Sequence, residues 1–378
     1  MPEKKKIVIT VDWFDPAYRA GGPVTSIKNM VENLHDLFDF RIITGCMDYG
    51  QTEPMAVATD CWTDWKGMAK VHYVSKAKQS REHLHELLDE EEADIYYIQG
   101  IFSRVFSIYP LVWWHKAKEE RVIVAPRGML HESALGVKPW KKKVYLQAAK
   151  WMGWFHHVLF HSTNPEETLH IQKVFSKDAE CREAENFAKV TAYLKEKSVK
   201  KEQSLKLLCV SRISPEKNVN FIPEVLSEID YPVEITFVGS ALDEVYFKEF
   251  MDKVNALPTH IKATYAGEKT PDELQNYYQN HDVFILPTLG ENFGHAIAEA
   301  LQSGLPCIIG DNTPWKNLGS AGAGYDIPPV KDDYKNAIAY FWECTPDEYS
   351  QRSQAARKYF DDKVDIHSLI NKYIQLFQ

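Results

Sequence analysis

Twice along this 378-residue chain, short runs of continuous apolar residues alternate with longer amphipathic segments. In the first half the runs are Ile7–Val11, Arg41–Thr44, Val71–Val74, Ile95–Gln99, Val122–Pro126 and His157–His161. In the second half they are Leu205–Ser211, Glu234–Gly239, Ile261–Ala266, Val283–Pro287 and Pro306–Gly310. A strand that is apolar at every position has to be covered on both faces, and helices between such strands supply the cover. The pattern therefore predicts an α/β chain with two doubly wound parallel sheets, two Rossmann-like domains in tandem.

Length agrees, because a chain this long exceeds what one hydrophobic core usually supports. The polar, lysine-rich stretch from Lys195 to Glu202 precedes the strand at Leu205 and puts the junction within 178–204. The expected division is 1–183 for the first domain and 184–360 for the second, with a helix over 361–378 returning towards the first. Asn164-Pro165-Glu166-Glu167, Thr270-Pro271-Asp272-Glu273 and Thr345-Pro346-Asp347-Glu348 each read as an N-cap, a proline at the first helical position and a capping-box Glu. Their carboxylates are caps rather than catalysts.

Charge excludes some functions. The net charge is −9, with residues 181–378 holding 21 Lys+Arg against 29 Asp+Glu and residues 1–180 holding 23 against 24. No basic stripe is present to displace counterions from nucleic acid, and any phosphate bound by the acidic second half must be met by local side chains and backbone N–H groups. The six cysteines are scattered without zinc spacing, which suits a reducing, cytoplasmic setting. His157 and His161 bracket a strand-like run and have no evident third ligand. No apolar run reaches the length of a membrane span, and the apolar stretch after Lys4-Lys5-Lys6 is too short for a signal peptide. One segment, Lys138 to His157, mixes Lys141, Lys142, Lys143 and Lys150 with Trp140, Trp151, Trp154 and Phe155. It reads either as an anionic membrane surface site or as a solvated helix with an aromatic core side.

Ligands of open α/β sheets bind beyond the carboxyl ends of the strands, and four loops there are unusual. Gly290-Glu291-Asn292-Phe293-Gly294 follows Val283–Pro287 and leads into a helix ending at Ser303-Gly304. Gly294 permits close backbone approach, the helix offers unpaired N–H groups to a phosphate, and Glu291 and Glu299 supply two carboxylates. Arg212 and Lys217 in Ser211-Arg212-Ile213-Ser214-Pro215-Glu216-Lys217 can converge on one diphosphate. Gly21-Gly22-Pro23, before a helix beginning near Thr25, forms a small anion-receptive nest. Trp315, in Asp311-Asn312-Thr313-Pro314-Trp315, either stacks on a sugar or covers the core. Neither G-x-G-x-x-G after a strand nor a P-loop pattern occurs.

Together these loops resemble the family-4 retaining glycosyltransferases of the GT-B fold, of the type that builds capsular and cell-surface polysaccharide. The resemblance rests on Glu-x7-Glu (Glu291, Glu299) within the string from His281-Asp282-Val283 to Gly304-Leu305-Pro306, on Arg212 with Lys217, on Gly21-Gly22-Pro23, and on Pro126-Arg127-Gly128-Met129-Leu130. It implies two domains facing a cleft and a retaining transfer of sugar from a nucleotide-diphosphate donor to a glycan or lipid-linked acceptor, with neither cofactor nor metal. Glu291, Arg212 and Lys217 are the implied catalytic residues, and these with Asn292, Phe293, Gly294, Glu299, Gly21 and Gly22 the implied donor site. Gln99, Arg127, His131 and Trp315 fall on the acceptor side. Many relatives carry His where this chain has Gln99 and Arg127. Arginine cannot relay a proton, so Arg127 is expected to stabilise charge or to bind phosphate. A GT-B epimerase and an inactive donor-binding scaffold are the competing functions.

Overall fold

The computed structural model describes residues 4–117, 121–136, 139–189 and 204–378. They form two compact units, Met1–Phe187 with Ile366–Gln378, and Ala188–Asp365. The lysine-rich stretch 195–202 lies outside the described residues.

Eight strands of the first unit make one sheet: β1 (Lys5–Val11), β2 (Phe38–Gly45), β3 (Trp62–Trp65), β4 (Ala69–Val74), β5 (Ile95–Gln99), β6 (Arg121–Ala125), β7 (Leu159–Ser162) and β8 (Cys181–Glu183). Their order is β3-β4-β2-β1-β5-β6-β7-β8, and all pairs are parallel except β3 with β4. The second unit has β9 (Leu205–Val210), β10 (Val233–Val238), β11 (Ile261–Tyr265), β12 (Val283–Leu286), β13 (Cys307–Gly310) and β14 (Gly324–Ile327), ordered β11-β10-β9-β12-β13-β14 and wholly parallel. The strand β3, the edge strand β8 and the edge strand β14 have no apolar run in the sequence. Only Trp65 in β3 is fully buried, and β8 has no fully buried residue.

Both sheets reverse direction beside their first strand, between β1 and β5 and between β9 and β12. Such a switch point leaves a crevice above the strand ends because the helices on either side leave in opposite directions.

The helical caps form where the sequence places them. Thr270 and Thr345 close full capping boxes with Glu273 and Glu348. At the helix Pro165–Val174 Asn164 accepts from Glu167 N. The Glu167 carboxylate accepts from Thr163 N at 2.8 Å and Gly128 N at 2.6 Å. The glycine-loop helix starts at Gly22, three residues before the expected Thr25, because Gly21 at φ 67° lets the chain turn directly into it with proline in the first turn. At the C-terminus the helix Ile366–Leu376 buries Leu369, Tyr373 and Leu376 in the core of the first unit, beside Phe38, Phe40 and Tyr97.

Candidate functional site

The switch point of the second unit gathers three loops. After β9 the chain runs through Arg212 into a short 3-10 turn, Pro215–Lys217, which Asn218 ends in the left-handed conformation at φ 53°. That turn aims Lys217 across the crevice, and its ammonium meets Glu291 Oε1 at 2.5 Å. Both side chains are mostly buried. Arg212, more exposed, pairs with Glu216 at 3.0 Å.

Backbone bonds fix the loops to one another. Leu289 N donates to Glu216 O at 3.0 Å and Glu291 N to Asn312 O at 3.0 Å. Asn312 Nδ2 donates to Leu289 O at 2.8 Å. These bonds join the loops that carry Lys217, Glu291 and the helix start into one hydrogen-bonded set. Gly294 caps the helix His295–Gln302 at φ 80°, where a Cβ would also approach Ile297 Cδ1 to 3.0 Å. The first N–H groups of this helix therefore face the loop without a side-chain cap, the arrangement that receives an anion.

Glu299 lies on the same helix. Tyr278 OH donates to its Oε2 at 3.1 Å. Burial raises the Glu299 carboxyl above its ordinary value, and the tyrosine hydrogen bond opposes that rise. Tyr278 and Asn312 carry no local motif and act through contacts distant in sequence, and Glu216 joins its neighbour Arg212 to the distant Leu289; sequence reading gave none of the three a role.

Trp315 requires a correction. Expected on the acceptor side, it is 1% exposed, stacks on Phe360 with 12° between the rings, and donates from Nε1 to Phe293 O at 2.6 Å. A ring so enclosed has no face for a sugar. It braces the Phe293–Gly294 turn from below, and Phe293 meets it edge-on.

In the first unit the glycine loop is held by Asp48, a buried carboxylate that accepts from Tyr18 N at 3.1 Å, Arg19 N at 3.2 Å and Tyr49 N at 2.7 Å. At the β1/β5 switch point Ser103 Oγ donates to Asp12 Oδ1 at 2.5 Å, and burial raises the Asp12 carboxyl despite that bond.

Arg127, a left-handed residue at φ 54°, turns its guanidinium inward. Nε donates to Gln99 Oε1 at 2.7 Å, one terminal nitrogen to Asn186 Oδ1 at 2.5 Å and the other to Tyr97 OH at 2.9 Å. Tyr97 in turn donates to His161 Nδ1, whose Nε2 is 2.7 Å from Ala184 O. Burial, with the Arg127 charge beside it, holds His161 well below the ordinary imidazole range. His161 is thus a neutral link in a buried network rather than a metal ligand with His157. His131 stands apart from this network, 4.0 Å from Glu166.

Residues 191–359 match the family model described as glycosyl transferases group 1. The match spans most of the second unit. A relative described as an uncharacterized 41.2 kDa protein in the cps region of Klebsiella pneumoniae is 22% identical over 288 residues, 74% of this chain and 76% of its own. Among solved structures, sucrose-phosphate synthase from Thermosynechococcus elongatus superposes with a TM-score of 0.75 at 14% identity, covering 99% of this chain and 98% of its own. Anabaena HepE, crystallised with UDP and glucose, gives 0.71 at 14% identity over 98% of this chain and 99% of its own. These neighbours share the fold of this chain, which is GT-B.

Proposed function

We propose that the chain is a retaining transferase that moves a sugar from a nucleoside-diphosphate donor to a glycan or lipid-linked saccharide in cell-surface polysaccharide synthesis. The observation that carries the reading is the meeting of Lys217 and Glu291 beside the helix start at Gly294, with Arg212 on the same loop as Lys217 at the second switch point. HepE, of the same fold, binds UDP-glucose, and the Klebsiella relative comes from a cps region.

The two ion pairs suggest how binding proceeds. A diphosphate carries more charge than a carboxylate and competes with Glu216 for Arg212 and with Glu291 for Lys217. Glu291, once released, faces the transferred sugar, and Glu299 the ribose diol. As the glycosidic bond breaks, charge grows on the leaving phosphate. Lys217, Arg212 and the helix N–H groups are already oriented towards it, so little reorganisation is needed. No divalent ion is required at the diphosphate, so transfer persists in EDTA. Loss of transfer in EDTA, restored by magnesium or manganese, contradicts this.

The helix Pro139–Trp151 favours a lipid-linked acceptor. Trp140, Val144 and Trp151 are 67%, 61% and 89% exposed on one stripe, beside the exposed Lys141 and Lys143. That combination suits peripheral docking on an anionic bilayer at its cytoplasmic face. Lys142 points elsewhere, donating to Ala134 O at 2.6 Å, and Phe155 is core. No helix among the described residues is long and apolar enough to cross a membrane.

The test begins with thermal-shift screening of UDP, GDP, ADP and their sugars. Ligand at 100 times its dissociation constant adds about 2.7 kcal/mol of stability. The stabilising donor is then incubated with and without lipid-linked saccharide. Sugar transferred only when acceptor is present supports the proposal. Nucleotide-sugar isomerised without acceptor identifies an epimerase, and tight binding without turnover a scaffold.

A further inference from the structure

His131, Glu166 and His170 belong to none of the donor loops. Glu166 and His170 lie four residues apart on the helix Pro165–Val174, so their side chains share one face. His131 closes the turn that follows Arg127, its N–H donating to Gly128 O at 3.1 Å. Its Nε2 is 4.0 Å from Glu166 Oε1. The two imidazole rings are 5.1 Å apart and nearly perpendicular at 88°. One ligand atom from each of the three lies within 4.8 Å of the other two.

This approach is set by the backbone. Glu167, next to Glu166, clamps the turn to the helix by accepting from Gly128 N at 2.6 Å and from Thr163 N at 2.8 Å. The three donor groups are thus presented together before any ligand arrives. Around a tetrahedral ion with bonds of about 2.1 Å the ligand atoms stand about 3.4 Å apart. Rotation of the exposed Glu166 side chain and small turns of the two rings cover that difference.

We propose that His131, Glu166 and His170 form a binding site for a divalent transition ion of the zinc, nickel or cobalt class. Two imidazole nitrogens and one carboxylate suit these ions, whereas magnesium and calcium favour sites built from oxygen. Three protein ligands leave a coordination position open to water or to a small ligand. A bound ion ties the turn 128–131 to the helix Pro165–Val174 through side chains as well as through Glu167. The site is independent of the donor reading, since none of its ligands lies in the second unit.

The test is calorimetric titration of the full, tag-free, metal-stripped chain with Zn2+, Ni2+ and Mg2+, and absorption spectroscopy with Co2+. Expected are one Zn2+ or Ni2+ per chain, no comparable binding of Mg2+, and a Co2+ spectrum without thiolate charge transfer. His170→Ala and Glu166→Gln each weaken binding at least about tenfold, while the urea midpoint of the metal-free variants stays near that of wild type. No binding of Zn2+ or Ni2+ to the wild type overturns the proposal. So does undiminished binding to both variants, or a thiolate band, since either places the ion on other residues.

Discussion

In the second unit Lys217 meets Glu291 and Arg212 meets Glu216, each cation facing a single side chain that a ligand anion can displace. In the first unit Arg127 is bound by three acceptors at once, Gln99, Asn186 and Tyr97, all of them buried. Both sheets are parallel and share the same strand order around a switch point, the antiparallel edge strand β3 apart, yet they use strand-end cations differently. On the proposed reading Lys217 and Arg212 exchange their partners for a ligand anion, whereas Arg127 holds its own unit together. A charged residue at the end of a parallel strand therefore says little about ligands until its partners are known. The helix Ile366–Leu376 reinforces the contrast, because Tyr373 lies against the same network in the first unit.

The largest expected effect sharpens this contrast. Arg127→Met leaves Gln99, Asn186 and Tyr97 without their donor, and unpaired buried groups are costly. A loss of at least about 3 kcal/mol is expected from urea denaturation. Lys217→Met should cost less, because it strands one carboxylate that keeps some exposure, whereas Arg127→Met strands three enclosed groups. Equal losses would erase the distinction between a structural and an exchangeable cation.

Next come the two carboxylates of the second unit. A hydrogen bond to a charged group is worth about 1.5–3 kcal/mol, so Glu299→Gln should weaken the free nucleoside diphosphate and the sugar donor alike, by about ten- to a hundredfold. Glu291→Gln should spare the free diphosphate and lower donor affinity or turnover. If Glu291→Gln weakens both ligands equally, Glu291 organises the loop and does not read the sugar.

The smallest effect is a pH dependence that belongs to the first unit. Its folded-state imidazole is depressed at His161, so the unfolded chain takes up a proton first as pH falls. Stability from His161 is complete above the ordinary imidazole range and declines below it, by up to about 1.4 kcal/mol per pH unit. Denaturation series between pH 7.5 and 5.5 should therefore be steeper for wild type than for His161→Asn. Parallel slopes would mean that the network tolerates a charged imidazole.

Much of this architecture was legible beforehand. Continuous apolar runs such as Ile95–Gln99 and Val283–Pro287 can only be covered strands, and Thr270 and Thr345 announce their helices by local chemistry that needs no tertiary context. The strands β3 and β8 were not legible, since they sit at sheet edges and carry few buried side chains. The charged residues of the donor loops were visible as residue types, but their pairing was not. Lys217 and Glu291 are 74 positions apart, and only the β9–β12 adjacency brings them together. Trp315 shows the same limit from the other side. A tryptophan in a strand-end loop suits a sugar platform as well as a core brace, and its burial against Phe360 decides for the brace. The Arg127 network was hidden because its acceptors come from β5, β7 and the segment around Asn186.

In the proposed reaction Lys217 and Arg212 hold the donor diphosphate in the second unit. The most direct test is calorimetric titration of the nucleoside diphosphate chosen by the thermal-shift screen into wild type, Lys217→Ala and Arg212→Ala. Removing one charged partner should cost about ten- to a hundredfold in affinity in each variant. Unchanged affinity in both would place the diphosphate elsewhere and contradict the account.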